Sequence, residues 1–203
     1  MTERVITLSP DMQDAVDRAQ LEAQRNLGRI NLRVAPRKEA FSRALTGIVR
    51  SSDPARKKLK RYIRVVDEIM ALNAPDTACR AGCSHCCYIA VGVMQTEAEL
   101  IGKAIGRKPK KVKHRDNFDG FDFGYHNPCT FLKDGRCSIY EHRPLACRMH
   151  YSLADTPDLC KLNPPETNPV PMVNTLSLNK GYVQICAPDK PVLADIRDFF
   201  PPV

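Results

Sequence analysis

Four cysteines stand within nine residues: Cys79, Cys83, Cys86 and Cys87, in the run Cys-Arg-Ala-Gly-Cys-Ser-His-Cys-Cys. Three more follow at Cys129, Cys137 and Cys147, and Cys160 and Cys186 bring the total to nine. The opening run, Met1-Thr2-Glu3-Arg4-Val5-Ile6-Thr7, lacks the apolar stretch of a signal peptide, and no apolar run approaches the ~20 residues of a membrane span. The expectation is a soluble, cytoplasmic protein without a membrane span. A reducing compartment and an odd number of cysteines argue against a disulfide framework. Thiols that stay reduced remain available to a metal.

The spacing Cys79-x3-Cys83-x2-Cys86 wraps a tight loop around one centre, with Gly82 permitting the turn. Cys86 and Cys87 are adjacent, and neighbouring side chains usually diverge, so one of them is expected to serve a second metal, to bridge, or to stay outside the first centre. Cys129 lies in Pro128-Cys129-Thr130-Phe131-Leu132. Cys137 and Cys147 lie in the run from Gly135 to Arg148, which reads Gly-Arg-Cys-Ser-Ile-Tyr-Glu-His-Arg-Pro-Leu-Ala-Cys-Arg. Cys137 precedes an expected helix start, where the dipole favours a thiolate. Arg143 and Arg148 are close in sequence to this anionic centre and are candidates to screen its charge or hold an anionic group.

These three ordered blocks resemble the YkgJ-type cysteine-cluster proteins, a zinc- or iron-chelating family whose domain also occurs in flagellin lysine N-methylases. The resemblance covers about residues 79 to 150. It implies metal-ligand candidacy for Cys79, Cys83, Cys86, Cys87, Cys129, Cys137 and Cys147, and a motif role for Tyr140, Arg143, Pro144 and Arg148. The methylases are considerably longer chains. A structural zinc site commonly takes two separated ligand pairs. A packed group with distant singles suits an iron–sulfur cluster, [4Fe-4S] by preference, and zinc is the alternative. His85, His126, His142 and His150 are reserve zinc ligands or polar surface, and Cys160 and Cys186 are candidates to complete a second site, with small core residues the preferred reading. The Cys-x3-Cys-x2-Cys spacing also belongs to radical S-adenosylmethionine enzymes, but too little chain follows Cys87 for their barrel.

Three functions fit these residues. The first is a metal-binding protein with a structural or redox-active cluster. The second is a cluster-dependent methyltransferase-like enzyme, implied by the resemblance to the methylases, although no glycine-rich cofactor loop is present. The third is a zinc-stabilised module that docks through basic helices on an acidic partner or nucleic acid. The formal charge of +8 supports the third. Its excess is concentrated at Lys57, Lys58, Lys60, Arg61 and Arg64, and again at Lys103, Arg107, Lys108, Lys110, Lys111, Lys113 and Arg115. Against the nucleic-acid version, Trp is absent, aromatics are 6% of the chain, and no binding motif accompanies the charge.

The expected fold is mainly α with irregular loops: a helical extension over residues 1–74 and a small cysteine-rich metal-binding domain over residues 75–203. Ser9-Pro10-Asp11 starts a first helix and Pro36 a second. Asp53-Pro54 starts a third, with Leu59, Tyr62, Ile63, Val66, Ile69 and Met70 as its apolar stripe and the first basic run opposite. Asn73 to Pro75 ends it. Thr96-Glu97-Ala98-Glu99 and Ser138-Ile139-Tyr140-Glu141 read as capping boxes, with a long loop from Gly106 to Pro128 between them. The segment from Thr156 to Pro171 reads as irregular, Tyr182 to Ile185 as a short strand, and Asp189 to Phe200 as a last short helix.

Overall fold

Ser9 Oγ accepts the Met12 amide at 3.4 Å and Pro10 takes the first helical position. From this cap helix α1 runs over Pro10–Val34 in the computed structural model, which describes residues 9–161, 169–188 and 192–202. A 3-10 turn at Ala35–Arg37, set by Pro36, leads into α2 (Lys38–Arg50). Helix α3 (Ala55–Asn73) buries Leu59, Tyr62, Val66 and Met70, the i, i+3, i+7, i+11 stripe that its sequence carries. Asp53 makes no side-chain cap for α3 and instead pairs with Lys57 and Arg61.

The stripe of α3 faces α5 (Leu145–Met149) and α6 (Leu176–Cys186). Ile48, Leu59, Tyr62, Val66 and Met70 form one core cluster with Leu145, Met149, Leu178, Tyr182, Ile185 and Cys186. That cluster is continuous across residue 74. The expected strand at Tyr182–Ile185 is therefore corrected to helix. Leu178, Gly181, Tyr182, Ile185 and Cys186 are buried at helical spacing, and packing on α3 overrides the strand preference of Tyr, Val and Ile.

A second cluster lies under the cysteines. Strand β1 (Gly92–Met94) leads into α4 (Gln95–Ile105), and β4 (Leu193–Asp195) leads into α7 (Ile196–Phe199). The two strands pair antiparallel, Val93 opposite Ala194. Val91, Val93, Ile101, Phe131, Ile196, Phe199 and Phe200 fill this core, and Cys129, Cys137 and Cys147 pack against it. The expected last helix is thus a strand followed by one turn, Ile196–Phe199, capped by an Asp195–Asp198 capping box. Its expected start at Asp189 lies outside the described residues. A hairpin of β2 (Leu132–Lys133) and β3 (Arg136–Cys137) turns at Asp134 and Gly135, both with positive φ, the geometry Asp-Gly favours. Helix α1 lies on the segment after α5: Val16 and Ala19 pack with Ala154 and Leu159, and Ala23 and Ile30 pack with Leu153. Asn26, buried, donates to the Leu153 carbonyl and to Asp155, both at 2.8 Å. Among the described residues no helix is long and apolar enough to cross a membrane.

Neither expected capping box forms. Helix α4 has no side-chain cap, and Ser138 Oγ donates to the Phe131 carbonyl instead. Glu97 turns inward, 1% exposed, where it accepts the Leu145 amide at 2.7 Å and the Tyr182 hydroxyl at 2.6 Å. Tyr182 in turn accepts the Met94 amide at 2.8 Å. One carboxyl thereby ties β1, α4, α5 and α6 together, and burial pushes its pKa up. Glu97→Ala strands the Leu145 amide and the Tyr182 hydroxyl; a loss of about 2–4 kcal/mol is expected in urea unfolding.

Candidate metal centre

The first cysteine loop is shaped by its own turns. Gly82 stands at φ 92°, a conformation that L side chains resist, between Cys79 and Cys83. A 3-10 turn over His85–Tyr88 follows. The loop is held at both ends: the Ala78 amide donates to the Ser152 carbonyl at 3.2 Å, and the Cys129 amide donates to the Cys87 carbonyl at 2.7 Å. The second contact places the Cys129 loop directly on the first one.

The result is a cavity of about 90 Å³ lined by Cys79, Cys83, Cys86, Cys87, Cys129, Cys137 and Cys147. All seven cysteines singled out in the sequence line it. The divergence expected for Cys86 and Cys87 is not found: both line the same space, and their thiols hydrogen-bond. Val91, Phe131, Ile139 and Ile196 supply apolar wall, while Tyr140, Arg143, His150 and Tyr151 complete the lining. Among the described residues no three Cys, His, Asp or Glu side chains already form an array for a single ion; the thiols ring a larger space instead.

Cys86 is the electrostatic hub. A charge on it raises Cys79, Cys137, Cys147 and Cys160 alike. Cys86 itself is raised first by the Cys87 hydrogen bond and then by burial. Burial pushes Cys79, Cys129 and Cys137 up, and Cys147 well up, from the ordinary thiol value. Three backbone amides work the other way. The Ser152 N–H reaches the Cys79 sulfur at 3.3 Å, and the amides of Phe131 and Ile139 bond to Cys129 and Cys137. Arg143 lowers Cys86 and Cys137, and Arg197 lowers Cys129. Amide donors and guanidinium charge around a half-buried group of cysteines fit the needs of metal-bound thiolates. The donor set is compatible with zinc or with iron–sulfur.

A thiol whose folded pKa is raised holds its proton longer in the folded chain than in the unfolded one. Stability of the metal-free protein therefore falls as pH climbs past the ordinary thiol value of about 8.5. Its melting temperature is expected to drop between about pH 8 and about pH 10, and a metal-loaded sample is expected to be spared. Loaded protein is instead expected to lose metal on acidification, because protons compete for the thiolates.

Two residues of this region were not singled out in the sequence as parts of the centre. Cys160 is the last residue of a 3-10 turn at Asp158–Cys160 and joins Cys79, Cys83, Cys86, His85 and His150 around an adjoining space. Burial, then the three cysteines, push its thiol up to about 11. Arg197 is 6% exposed on α7. Its guanidinium donates to the carbonyls of Cys87 and Ile89 in the first loop and of Asn127 and Pro128 in the second, at 3.2–3.3 Å. It also pairs with buried Asp195 at 3.0 Å. Only its distance in sequence from the cysteines concealed it. Cys186 lies in the α3–α6 core.

The two candidate arginines part ways. Arg148 is buried and each of its guanidinium nitrogens is engaged: with Asp67 at 2.7 and 2.9 Å, with the Arg143 carbonyl at 2.9 Å, and with the Glu141 carbonyl. Arg143 stacks on Tyr140, 3.8 Å from its ring centre, with one donor on the Tyr140 carbonyl, and stands at the cavity wall.

Residues 78–169 match the family model CxxCxxCC, described as a putative zinc- or iron-chelating domain. No curated protein and no solved structure matches the chain.

Proposed function

We propose that the protein holds a polynuclear metal centre, an iron–sulfur cluster in preference to a single zinc ion, in the thiol-lined cavity. One observation carries this reading: seven cysteines from four separate stretches line one space, more than a single ion needs. A structural zinc site closes tightly on four ligands. A cavity of about 90 Å³ has room for several water-sized particles, which favours a cluster. Cys79, Cys83, Cys86, Cys87, Cys129, Cys137 and Cys147 are the ligand candidates, and Cys160, in the adjoining space, is the reserve. A bound iron–sulfur cluster would supply one-electron redox chemistry or a rigid structural pin, its potential tuned by hydrogen bonds to sulfur. The chain's own part is to desolvate the site through Val91, Phe131, Ile139 and Ile196, to aim three amides at sulfurs, and to offset negative charge with Arg143 and Arg197.

The test is anaerobic purification followed by iron, acid-labile sulfide and zinc analysis. Brown protein with iron and sulfide in comparable amounts is the expected result. Colourless protein with stoichiometric zinc would replace the cluster by a zinc site, and folded protein without metal would end the proposal.

A further inference from the structure

On the far side of Arg143 from the thiol cavity, α3 and α4 enclose a cleft of about 580 Å³, within the range of small-molecule sites. Lys60 and Arg64 reach it from successive turns of α3, Lys103 from α4, and Arg143 from the turn before α5. We propose that this cleft binds a small phosphate-bearing ligand, with its anionic end beside the wall of the thiol cavity.

The distribution of ion pairs supports the assignment. Elsewhere on α3, Arg56 pairs with Glu99, Lys57 and Arg61 pair with Asp53, and Lys58 donates to the Val49 carbonyl. Lys60, Arg64, Lys103 and Arg143 form no ion pair with any described residue. The acids at the cleft do not neutralise them. Asp67 is taken by Arg148. Glu97 is fully buried, and its oxygens accept from Leu145 and Tyr182. Glu141 remains, exposed at the rim. Four cations gathered in one concavity repel one another until an anion enters. A single carboxylate balances one of them; a phosphate carries about two charges and offers several oxygens to guanidinium forks and ammonium groups. A pocket of this size takes a small molecule rather than a length of polymer backbone. The shared wall, Arg143, gives the cleft a direct line to the metal centre. Binding in the cleft does not require that centre to be filled.

The experiment is calorimetric titration at low salt with fructose 1,6-bisphosphate, with glutarate and a short DNA duplex as competing probes. Wild type is compared with Lys60→Gln/Arg64→Gln and with Arg56→Gln/Arg61→Gln, which removes the same charge from the same helix outside the cleft. Saturable bisphosphate binding is expected. It should weaken about tenfold or more in the cleft variant and by less than about twofold in the control. Absence of binding to wild type, or equal weakening in both variants, overturns the site. Tighter binding of glutarate overturns the phosphate assignment, and tighter binding of DNA overturns the small-molecule assignment. Metal content is measured on the same preparations, so an empty cavity and a silent cleft register as separate results.

Discussion

Arg197→Met is expected to destabilise the metal-free protein by about 3–5 kcal/mol and to impair metal loading in the protein that still folds. The guanidinium is 6% exposed, and Asp195 beneath it is fully buried. Its loss leaves Asp195 without its cation. It also leaves the carbonyls of Cys87, Ile89, Asn127 and Pro128 without the donors that join them. Methionine fills similar volume, so the effect reports lost polar contacts and not a void. Asp195 keeps the amides of Val91 and Arg197, which limits the damage to the bridge between loops. Arg197→Lys retains charge but lacks the planar fork that spans both loops, and an intermediate loss is expected. Urea unfolding with metal analysis checks both variants. A stability change below about 0.5 kcal/mol for Arg197→Met would show that the loops do not depend on this brace.

Cys86→Ser is expected to reduce bound metal about tenfold or more, at least the loss that follows from removing a group that merely supports a ligand. Cys86 is the sulfur whose charge is felt on both sides of the ring, by Cys79 and Cys160 and by Cys137 and Cys147. Serine preserves shape but is a poor ligand for soft metal ions. Cys186→Ala, in the α3–α6 core away from the cavity, is expected to lower stability with metal stoichiometry unchanged. Equal metal loss in both variants would mean that loading follows global stability and not ligation at Cys86.

Much of the helical frame could be read before the fold was known. Ser9-Pro10 marks the start of α1, and the Leu59–Tyr62–Val66–Met70 stripe marks the buried face of α3, because both signals are local. The gathering of seven cysteines was legible as chemistry, from their spacing and from the resemblance they carry. The less legible features depend on distant partners. Thr96-Glu97-Ala98-Glu99 has the letters of a capping box, but Glu97 finds better donors in Leu145 and Tyr182. The Tyr182–Ile185 stretch looks extended by propensity. Its helical spacing, from Leu178 to Cys186, was available and was outweighed by residue type. Strand β4 pairs with β1 about a hundred residues away, and no local pattern announces that. Arg197 and Cys160 reach the centre through the same long-range closure. At Asp134-Gly135 the turn signal was present and pointed to the hairpin that carries Cys137.

The proposed function requires thiols from separate loops to hold metal ions in one cavity. X-ray absorption at the metal edge of freshly isolated protein tests it most directly, because it reads the atoms around the metal. A first shell of sulfur alone is expected, with a second metal as a nearby scatterer. A shell dominated by oxygen and nitrogen would contradict it.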